Sequence, residues 1–336
     1  MTTTNLRITS LNARGLISDM KRKKIFLWLE KQAVDITFLQ ETHCTKTNLE
    51  KISKDWGGRS YFGLTNSCHS RGVGILFKPS LDIEILNTVS RNDGRAMLMN
   101  ITSYDSILTI VNIYAPNKEQ ERMNYFTGIT TWIMENATSL DNLIIGGDLN
   151  ICMNDNDRSS KTHLKDESRQ TLKRIMETIN VEDVWEKFAK QKDHFTWSDN
   201  NIKSRLDYFL VGKSRNFIIR KTFTERVVSK HLSDHKALSL TIKIHSSKRG
   251  PGCWKLNTRL LKDKTYVESM ESVLVDFMKR DANMNYCNKW EMIKIKIRET
   301  SIQLSKEINR NRKCKIQLLE EEILKTENEV TKAEKQ

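Results

Sequence analysis

Leu143-Ile144-Ile145-Gly146-Gly147-Asp148-Leu149-Asn150 is the stretch of sequence that decides the fold. Its three branched apolar residues predict a buried strand, and the two glycines predict a tight turn where that strand ends. Asp148 and Asn150 stand two positions apart, so in an extended segment their side chains point to the same face. Such a pair forms either a local Asx turn or part of a polar site, and partners elsewhere in the chain decide between the two.

The charge, the cysteines and the hydropathy of the chain limit the class of protein. Lys plus Arg number 56 against 42 Asp plus Glu in 336 residues, and the net charge of +14 favours a polyanionic partner, nucleic acid first. The six cysteines form no Cys-x-x-Cys pair, which predicts reduced thiols and no zinc site. No apolar run reaches about 18 residues and no secretory signal is present, so we expect an intracellular protein with no membrane partner.

Residues 1–245 alternate between strand and helix patterns. Leu6–Asn12 and Val34–Glu41 predict strands that each end in a polar residue, and Ser18 is placed to cap a helix. The apolar runs Gly72–Phe77, Leu81–Val89 and Ala96–Ile101 predict strands of one meander. Further strands are predicted at Ser106–Tyr114, Leu206–Val211 and Ala237–Ile244, and further helices at 118–137 and 167–180. The pattern predicts an α/β domain.

The character of the sequence changes near Ser246. Residues 246–252 have the composition of a linker, and every long segment of residues 253–336 has an apolar stripe at helical spacing. We therefore predict an α/β domain over residues 1–245 and an all-helical extension after the linker. The stripe is heptad-like over residues 316–330, which predicts a helix–helix contact there and leaves the oligomeric state open.

Polar residues stand at the ends of the predicted strands. Apolar runs are followed by Asn12, Glu41, Tyr114, Asp148 and Asn150, and the late strands lie beside Asp207, Asp234 and His235. Hard divalent cations such as Mg²⁺ prefer oxygen ligands, which Glu41 and Asn12 offer. The sequence thus supplies the ligand types of a magnesium site.

Hydrolysis of a phosphodiester needs further groups besides a cation. It needs a base that activates water and a group that stabilises the charge developing on phosphate, and Asp148 and His235 suit these tasks. His235 in turn needs a carboxylate to fix its tautomer, for which Asp207 and Asp234 are both candidates.

Seven short motifs, taken together, resemble those of a known superfamily. In order they are Leu11-Asn12-Ala13-Arg14-Gly15-Leu16, Gln40-Glu41-Thr42-His43, Asn112-Ile113-Tyr114-Ala115-Pro116-Asn117, Gly146-Gly147-Asp148-Leu149-Asn150, Phe195-Thr196-Trp197-Ser198, Arg205-Leu206-Asp207-Tyr208 and Ser233-Asp234-His235. They resemble the endonuclease/exonuclease/phosphatase superfamily, and above all the apurinic-endonuclease-like nuclease at the N-terminus of LINE-type retrotransposon proteins. Seven motifs in the right order are much more specific than any one of them. The resemblance covers about residues 5–245.

The resemblance implies a DNase I-like, four-layer αββα sandwich with the site at one end of two packed sheets. It implies Mg²⁺, for which Mn²⁺ could substitute, held chiefly by Glu41 with Asn12 close by and Asp234 beside the metal region. It also assigns catalytic roles. Asp148 would activate the attacking water and Asn150 would position it, His235 would bind the scissile phosphate with Asp207 orienting it, and Tyr114 would hydrogen-bond the phosphate or the leaving oxygen.

A further set of residues is predicted to bind DNA: Arg14, Arg71, Asn117, Thr196, Trp197, Arg205 and Ser233. Arg14 stands where abasic-site repair enzymes of the family commonly carry an acidic residue, so it argues against a dedicated repair role and for a phosphate contact. Thr196 and Ser233 are either supporting residues or DNA contacts. Trp197 either stacks on DNA or packs in the core, and Arg71 either grips a phosphate or caps a turn.

The sequence therefore favours a Mg²⁺-dependent enzyme that nicks double-stranded DNA and leaves 3′-hydroxyl and 5′-phosphate ends, acting in the nucleus. An abasic-site repair endonuclease or 3′→5′ exonuclease is the first alternative. The second is a nucleic-acid-binding remnant that no longer cuts. No Asp-Asp dipeptide, and hence no polymerase signature of the Phe/Tyr-x-Asp-Asp type, occurs in the chain, so we expect a nuclease followed by the start of another region.

Overall fold

The computed structural model describes residues 2–65, 71–103, 106–160, 166–188, 194–199, 202–225, 232–246, 254, 256–280 and 285–333. Contacts between Cα atoms divide the chain into two units, Met1–Lys248 and Arg249–Gln336. Nearly all of the predicted linker, residues 247–252, lies outside the described residues. Within the described part of the chain, no helix is both long enough and apolar enough to cross a membrane.

The first unit is built from strands and short helices. Its strands are β1 (Thr2–Asn12), β2 (Ile36–Gln40), β3 (Ser60–Gly63), β4 (Val73–Phe77), β5 (Glu84–Ser90), β6 (Ala96–Ser103), β7 (Ser106–Tyr114), β8 (Leu143–Asp148), β9 (Val181–Asp183), β10 (Trp197–Asp199), β11 (Ile202–Ser204), β12 (Asp207–Gly212), β13 (Ile218–Glu225) and β14 (Ala237–Ser246). Its helices are α1 (Asp19–Lys31), α2 (Leu49–Trp56), α3 (Glu119–Asn136), α4 (Ser168–Thr178) and α5 (Val184–Phe188). As predicted, Ser18 caps α1, because its side chain accepts a hydrogen bond from the Lys21 backbone N–H.

Two mixed sheets form the centre of this unit. The strand order is β13-β14-β1-β2-β4-β3 in the first sheet and β5-β6-β7-β8-β12-β9 in the second. β1 pairs with β2 and β7 pairs with β8 in parallel, and their other neighbours are antiparallel. The predicted meander of β4, β5 and β6 is wrong, because β4 pairs with β2 and β3 in the first sheet. All five β4 residues are buried. The sequence of β4 therefore shows no alternation of polar and apolar residues from which its sheet could be predicted.

Three apolar layers confirm the αββα sandwich. Alternate residues of the strands, such as Ile8, Phe38, Ile144 and Phe209, pack between the two sheets. The opposite face of the first sheet packs against α1 and α2, and the opposite face of the second sheet packs against α3 and α4. The central strands β2, β4, β8 and β12 therefore bury both of their faces, and a residue's position in the strand decides which layer it enters.

The layer between the sheets becomes polar at one end. Gln40 donates from Nε2 to Asn112 Oδ1 at 2.6 Å and to Ser10 Oγ at 3.1 Å. Asn112 donates from Nδ2 to the carbonyl oxygens of Leu39 and Gly74. These side chains are fully buried and their hydrogen bonds offset the cost of removing them from water. They form a polar floor beneath the last residues of β1, β7 and β8.

The two glycines of the central stretch serve packing and do not end the strand, so the predicted tight turn is wrong. β8 continues through both glycines to Asp148. A Cβ on Gly146 would lie 2.5 Å from the Phe209 ring, and a Cβ on Gly147 would lie 1.9 Å from the Ile113 carbonyl oxygen. Gly147 also has a φ of +144°, a backbone conformation that L side chains rarely adopt. The glycines are needed because the neighbouring strand and ring occupy the space of a side chain.

The second unit confirms the helical extension. It contains α6 (Lys264–Arg280) and α7 (Tyr286–Ala333). Tyr266 of α6 and Ser301 of α7 are buried, and their hydroxyl groups share a hydrogen bond of 2.7 Å.

Candidate active site

A cleft of about 480 Å³ opens at the polar end of the two sheets. Among the residues that line it are predicted site residues from both sheets: Arg14, Glu41, Asn117, Asp148, Asn150, Trp197, Asp234 and His235. The inward-facing positions of the strands run from apolar to polar toward this end. The cleft therefore forms where the core changes from apolar to polar side chains.

His235 and Asp207 form a buried pair at the bottom of the cleft. His235 Nδ1 lies 2.8 Å from Asp207 Oδ2, and the two side chains are 6% and 0% exposed. Burial alone would lower the pKa of His235, but the negative charges of Asp207 and Asp148 outweigh it and raise this pKa to about 10. His235 is thus held as an imidazolium ion. Its other ring nitrogen, Nε2, lies 3.8 Å from Asp148 Oδ2.

Asp148 is fixed by two donors. Asn12 Nδ2 donates to its Oδ2 at 3.0 Å, and the backbone N–H of Asn150 donates to its Oδ1 at 3.0 Å. The pKa of Asp148 rises to about 7, because burial outweighs the opposing effect of the His235 charge. Burial thus makes this carboxylate a stronger base than an exposed aspartate.

The Asx turn and the polar site are both present. Asn150 has a φ of +49°, and its N–H closes the turn on Asp148. The extended segment that was predicted to place both side chains on one face is therefore wrong. Asn150 still lines the cleft, where its Nδ2 donates to the Ala115 carbonyl oxygen at 2.8 Å.

Asn12 links the two carboxylates at the mouth of the cleft. The Nδ2 group that reaches Asp148 also donates to Glu41 Oε1 at 2.9 Å. Asn12 Oδ1 accepts from the Arg14 N–H, so the amide oxygen faces away from the carboxylates. Burial first, and then the Glu41 charge, raise the pKa of Tyr114 above its usual range, which keeps its hydroxyl protonated.

Asp234 lies in the wall of the cleft between Trp197 and Arg14. Trp197 Nε1 donates to Asp234 Oδ2 at 3.2 Å, and Arg14 Nη1 lies 3.7 Å from the same oxygen. Trp197 is half-buried and forms a backbone bridge with His235, so it lies at the cleft and outside the apolar layers. Asp207, and not Asp234, is the carboxylate that hydrogen-bonds His235.

The donor set of the cleft fits a hard divalent cation. Ligand atoms of Asp148, Asp207 and His235 lie within 4.8 Å of one another. His235 Nδ1 and Asp207 Oδ2 are already hydrogen-bonded to each other, however, so this cluster is the weaker candidate. Glu41 is 24% exposed at the cleft mouth and presents carboxylate oxygens, the ligands that Mg²⁺ prefers.

The residues that were predicted to contact DNA fall into an exposed group and a buried group. Arg14, Arg71 and Asn117 are exposed. Thr196 and Ser233 are buried and serve as supports. Thr196 Oγ1 accepts from the N–H groups of Leu206 and Asp207, and Ser233 Oγ donates to the Asn12 carbonyl oxygen and accepts from the His235 N–H.

Arg205 is a correction to the predicted set, because the structure does not place it at a DNA surface. It is 3% exposed, with its guanidinium 2.8 Å from Asp157 Oδ1 and 2.6 Å from Asp183 Oδ2. Three of its N–H groups donate to these two buried carboxylates, which also balance its charge. Arg205 joins the turn at Asp157 to the end of β9 at Asp183, and its guanidinium is buried away from any DNA surface.

We expect Arg205→Met to destabilise the first unit by about 3–5 kcal/mol, because it leaves two buried carboxylates without a counter-charge. Chemical denaturation of the full chain measures this loss. Arg71→Met is the matched control, since Arg71 is exposed. If both variants unfolded at the same denaturant concentration as the unaltered chain, the buried ion pairs would not stabilise the fold.

Sequence reasoning missed several residues that line the cleft: Arg122, Cys152, Arg158, Asp166, Ile202 and Ser204. Arg122 connects two residues that line the cleft. Its Nη1 donates to the Asn117 carbonyl oxygen at 2.7 Å, and its Nη2 donates to Asp166. In the sequence it is one charged residue of an amphipathic helix, a pattern typical of a solvated position. Its contacts with Ser168 and Asp166, which are 46 and 44 positions away, distinguish it.

Comparison with known proteins gives a family and several relatives. The profile of the Endonuclease/Exonuclease/phosphatase family matches residues 9–235. The transposon TX1 uncharacterized 149 kDa protein of Xenopus laevis is 26% identical over 338 residues, covering 98% of this chain and 25% of that protein. A DNA-(apurinic or apyrimidinic site) endonuclease of Dictyostelium discoideum is 28% identical over 234 residues, covering 62% of this chain and 63% of that protein.

A solved structure has the same fold. The endonuclease domain of TRAS1, a telomere-specific non-LTR retrotransposon, matches with a TM-score of 0.53 and 16% identity, covering 73% of this chain and 100% of that domain. The chain spans only 25% and 63% of the lengths of the Xenopus and Dictyostelium relatives. The family match begins within β1 and ends at His235, so it contains every residue of the buried pair and its neighbours.

Proposed function

The chain belongs to the Endonuclease/Exonuclease/phosphatase family, and we propose that it is a divalent-cation-dependent endonuclease that nicks double-stranded DNA. The products would carry 3′-hydroxyl and 5′-phosphate ends. The observation that carries the proposal is the Asp207–His235 pair beside Asp148, since it supplies a cation for phosphate and a carboxylate for water in one cleft. The similarity to transposon TX1 and to the TRAS1 domain supports a retrotransposon endonuclease.

In this proposal each group has one task. Asp148, whose pKa of about 7 lies near neutral pH, accepts the proton of the attacking water, which Asn150 positions. His235 binds a non-bridging oxygen of the scissile phosphate, and Asp207 orients its ring. Tyr114 remains protonated and donates a hydrogen bond to the phosphate or the leaving oxygen.

The metal would lie at the mouth of the cleft. Glu41 would hold Mg²⁺ or Mn²⁺, with Asp234 beside it, and Asn12 would position Glu41 through its amide nitrogen. When bound, the cation would neutralise negative charge on the phosphate.

Supercoiled plasmid is the substrate that tests the proposal most directly. With Mg²⁺ we expect conversion to the open circular form, and with EDTA no conversion. DNA ligase alone should then reseal the nicks, because it requires 3′-hydroxyl and 5′-phosphate ends. Equal conversion in EDTA would contradict the metal requirement, and nicks that ligase cannot seal would contradict the proposed product ends.

DNA binding by the full chain should depend strongly on salt. The net charge of +14 and the exposed Arg14 and Arg71 support contacts to phosphate, and each phosphate that a Lys or Arg neutralises contributes about −0.9 to the slope of log K against log salt. Fluorescence anisotropy with a duplex probe in EDTA measures the slope. Affinity that does not change with salt would favour a small or uncharged substrate.

An abasic-site endonuclease is the second candidate, supported by the 28% identity with the Dictyostelium enzyme. The two functions are distinguished by the cleavage rates of two duplexes of the same sequence, one with a single tetrahydrofuran abasic analogue and one intact. Preference for the intact duplex or equal rates favour the first proposal, and strong preference for the abasic duplex favours the second. Binding of both without cleavage would indicate a remnant that no longer cuts.

A further inference from the structure

One stretch of α7 carries an excess of positive charge. Between Ile308 and Leu319 the helix contains Arg310, Arg312, Lys313 and Lys315 and no acidic residue. Lys306 precedes them by about one turn, and residues 306–315, whose one acidic residue is Glu307, are called the basic segment below. All side chains at positions 309–315 are exposed.

The charges of the basic segment are not fully neutralised within the chain as described. Earlier on the same helix, Lys294 pairs with Glu291 at 2.6 Å. In the described residues, by contrast, Lys306, Arg310 and Lys313 form no ion pair with a carboxylate. These three residues follow one another at spacings of four and three, where like charges on a helix repel each other. An anionic partner would relieve this repulsion.

Apolar packing does not account for the segment either. α6 covers the first part of α7, and the buried hydrogen bond between Tyr266 and Ser301 lies near the beginning of α6. Positions 309–315 lie beyond that contact and are exposed on every side of the helix. A helix that is polar all round is stabilised by its charges or by a partner.

The distribution of the cations around the helix indicates the form of the partner. At 3.6 residues per turn, Lys306, Arg310 and Lys313 lie on one side, and Arg312 and Lys315 lie away from it toward the opposite side. A flat anionic surface would meet only one of these sides. The major groove of B-form DNA admits an α-helix and has a phosphate backbone on each side of it.

We propose that the basic segment is a second DNA-binding element, which lies in the major groove of duplex DNA and acts independently of the cleft. The segment rises about 14 Å along the helix axis, a length over which duplex DNA carries about 8 phosphates. Asn309 and Asn311 stand between the cations and add amide groups that hydrogen-bond phosphates or base edges. An A-form RNA duplex is a poor partner, because its major groove is deep and narrow.

The test compares the full chain with the variant R310Q/R312Q/K313Q/K315Q. Glutamine is a good helix former, so α7 should persist, and circular dichroism checks this. The probes are a labelled 20-base-pair DNA duplex and an RNA duplex of the same sequence, in EDTA so that no cleavage is needed. We expect the Kd for DNA to rise about tenfold or more, and the salt slope to fall by about 0.9 for each phosphate that the variant no longer binds.

The matched control K289Q/K294Q/K296Q/R298Q removes the same charge from the same helix. It should leave the affinity within about twofold, while R310K/R312K, which keeps the charge, should bind like the unaltered chain. If the two variants with four substitutions weakened DNA binding equally, the effect would be one of net charge alone, and the proposal would be overturned. Unchanged affinity of the basic-segment variant, or equally tight binding of the RNA duplex, would also overturn it.

Discussion

Glu41→Gln is expected to abolish cation-dependent nicking while the melting temperature in EDTA stays unchanged. Asn12 Nδ2 donates to Glu41 Oε1 at 2.9 Å, and a glutamine oxygen accepts the same hydrogen bond, so the geometry is kept. The substitution removes the negative charge of the hard ligand that Mg²⁺ prefers. Plasmid nicking across a Mg²⁺ series measures the loss of activity.

Thermal melts give a second readout that does not depend on cleavage. A bound ligand stabilises the folded state by RT ln(1 + [L]/Kd), so Mg²⁺ should raise the melting temperature of the unaltered chain and not that of the variant. Glu50→Gln is the control, because Glu50 is exposed at the start of α2. Near-normal nicking by Glu41→Gln with the same Mg²⁺ dependence would rule out Glu41 as the ligand and move the metal toward Asp148 and Asp207.

The polar ends of the strands were predictable because strand periodicity is strict. Asp148 follows an apolar run, and its inward-facing neighbour two positions earlier, Gly146, packs against Phe209. Because side chains alternate between the two faces of a strand, one residue buried between the sheets determines which face every other residue of that strand occupies. The same reasoning places Asp207 on the inner face of β12, next to Phe209 and Val211. The αββα architecture was predicted from the resemblance of the motifs, and the three apolar layers confirm it.

Contacts between distant segments were not predictable from local patterns. Arg205 has the same sequence neighbourhood whether it meets DNA or two carboxylates, and its partner Asp157 lies 48 positions away in a short 3₁₀ turn. The missed Arg122 is a parallel case, because its partner Asp166 comes from another segment. For Gly146 and Gly147, local sequence indicated a turn, whereas the deciding fact is the volume taken by Phe209 and Ile113.

His235→Ala should lower the single-turnover rate of nicking by about 10²–10³, the loss expected when one electrostatic donor to the transition state is removed. Asp207→Asn should reproduce much of that loss, because an amide orients the imidazole poorly and does not stabilise its charged form. The structure supports this coupling, since Asp207 Oδ2 lies 2.8 Å from His235 Nδ1 and its charge helps to raise the His235 pKa.

The double variant decides whether the two residues act as one unit. If Asp207 works through His235, the double variant should be little slower than the slower single variant. If the two losses multiply, Asp207 has a role that is separate from orienting the His235 ring. Thermal melts of all variants are needed, because removing His235 leaves Asp207 buried without its partner. Asp93→Asn, in the turn between β5 and β6, is the control for the substitution itself. A fall in activity that only follows the melting temperature would make His235 structural, whereas a large loss of rate in a folded chain would place it at the phosphate.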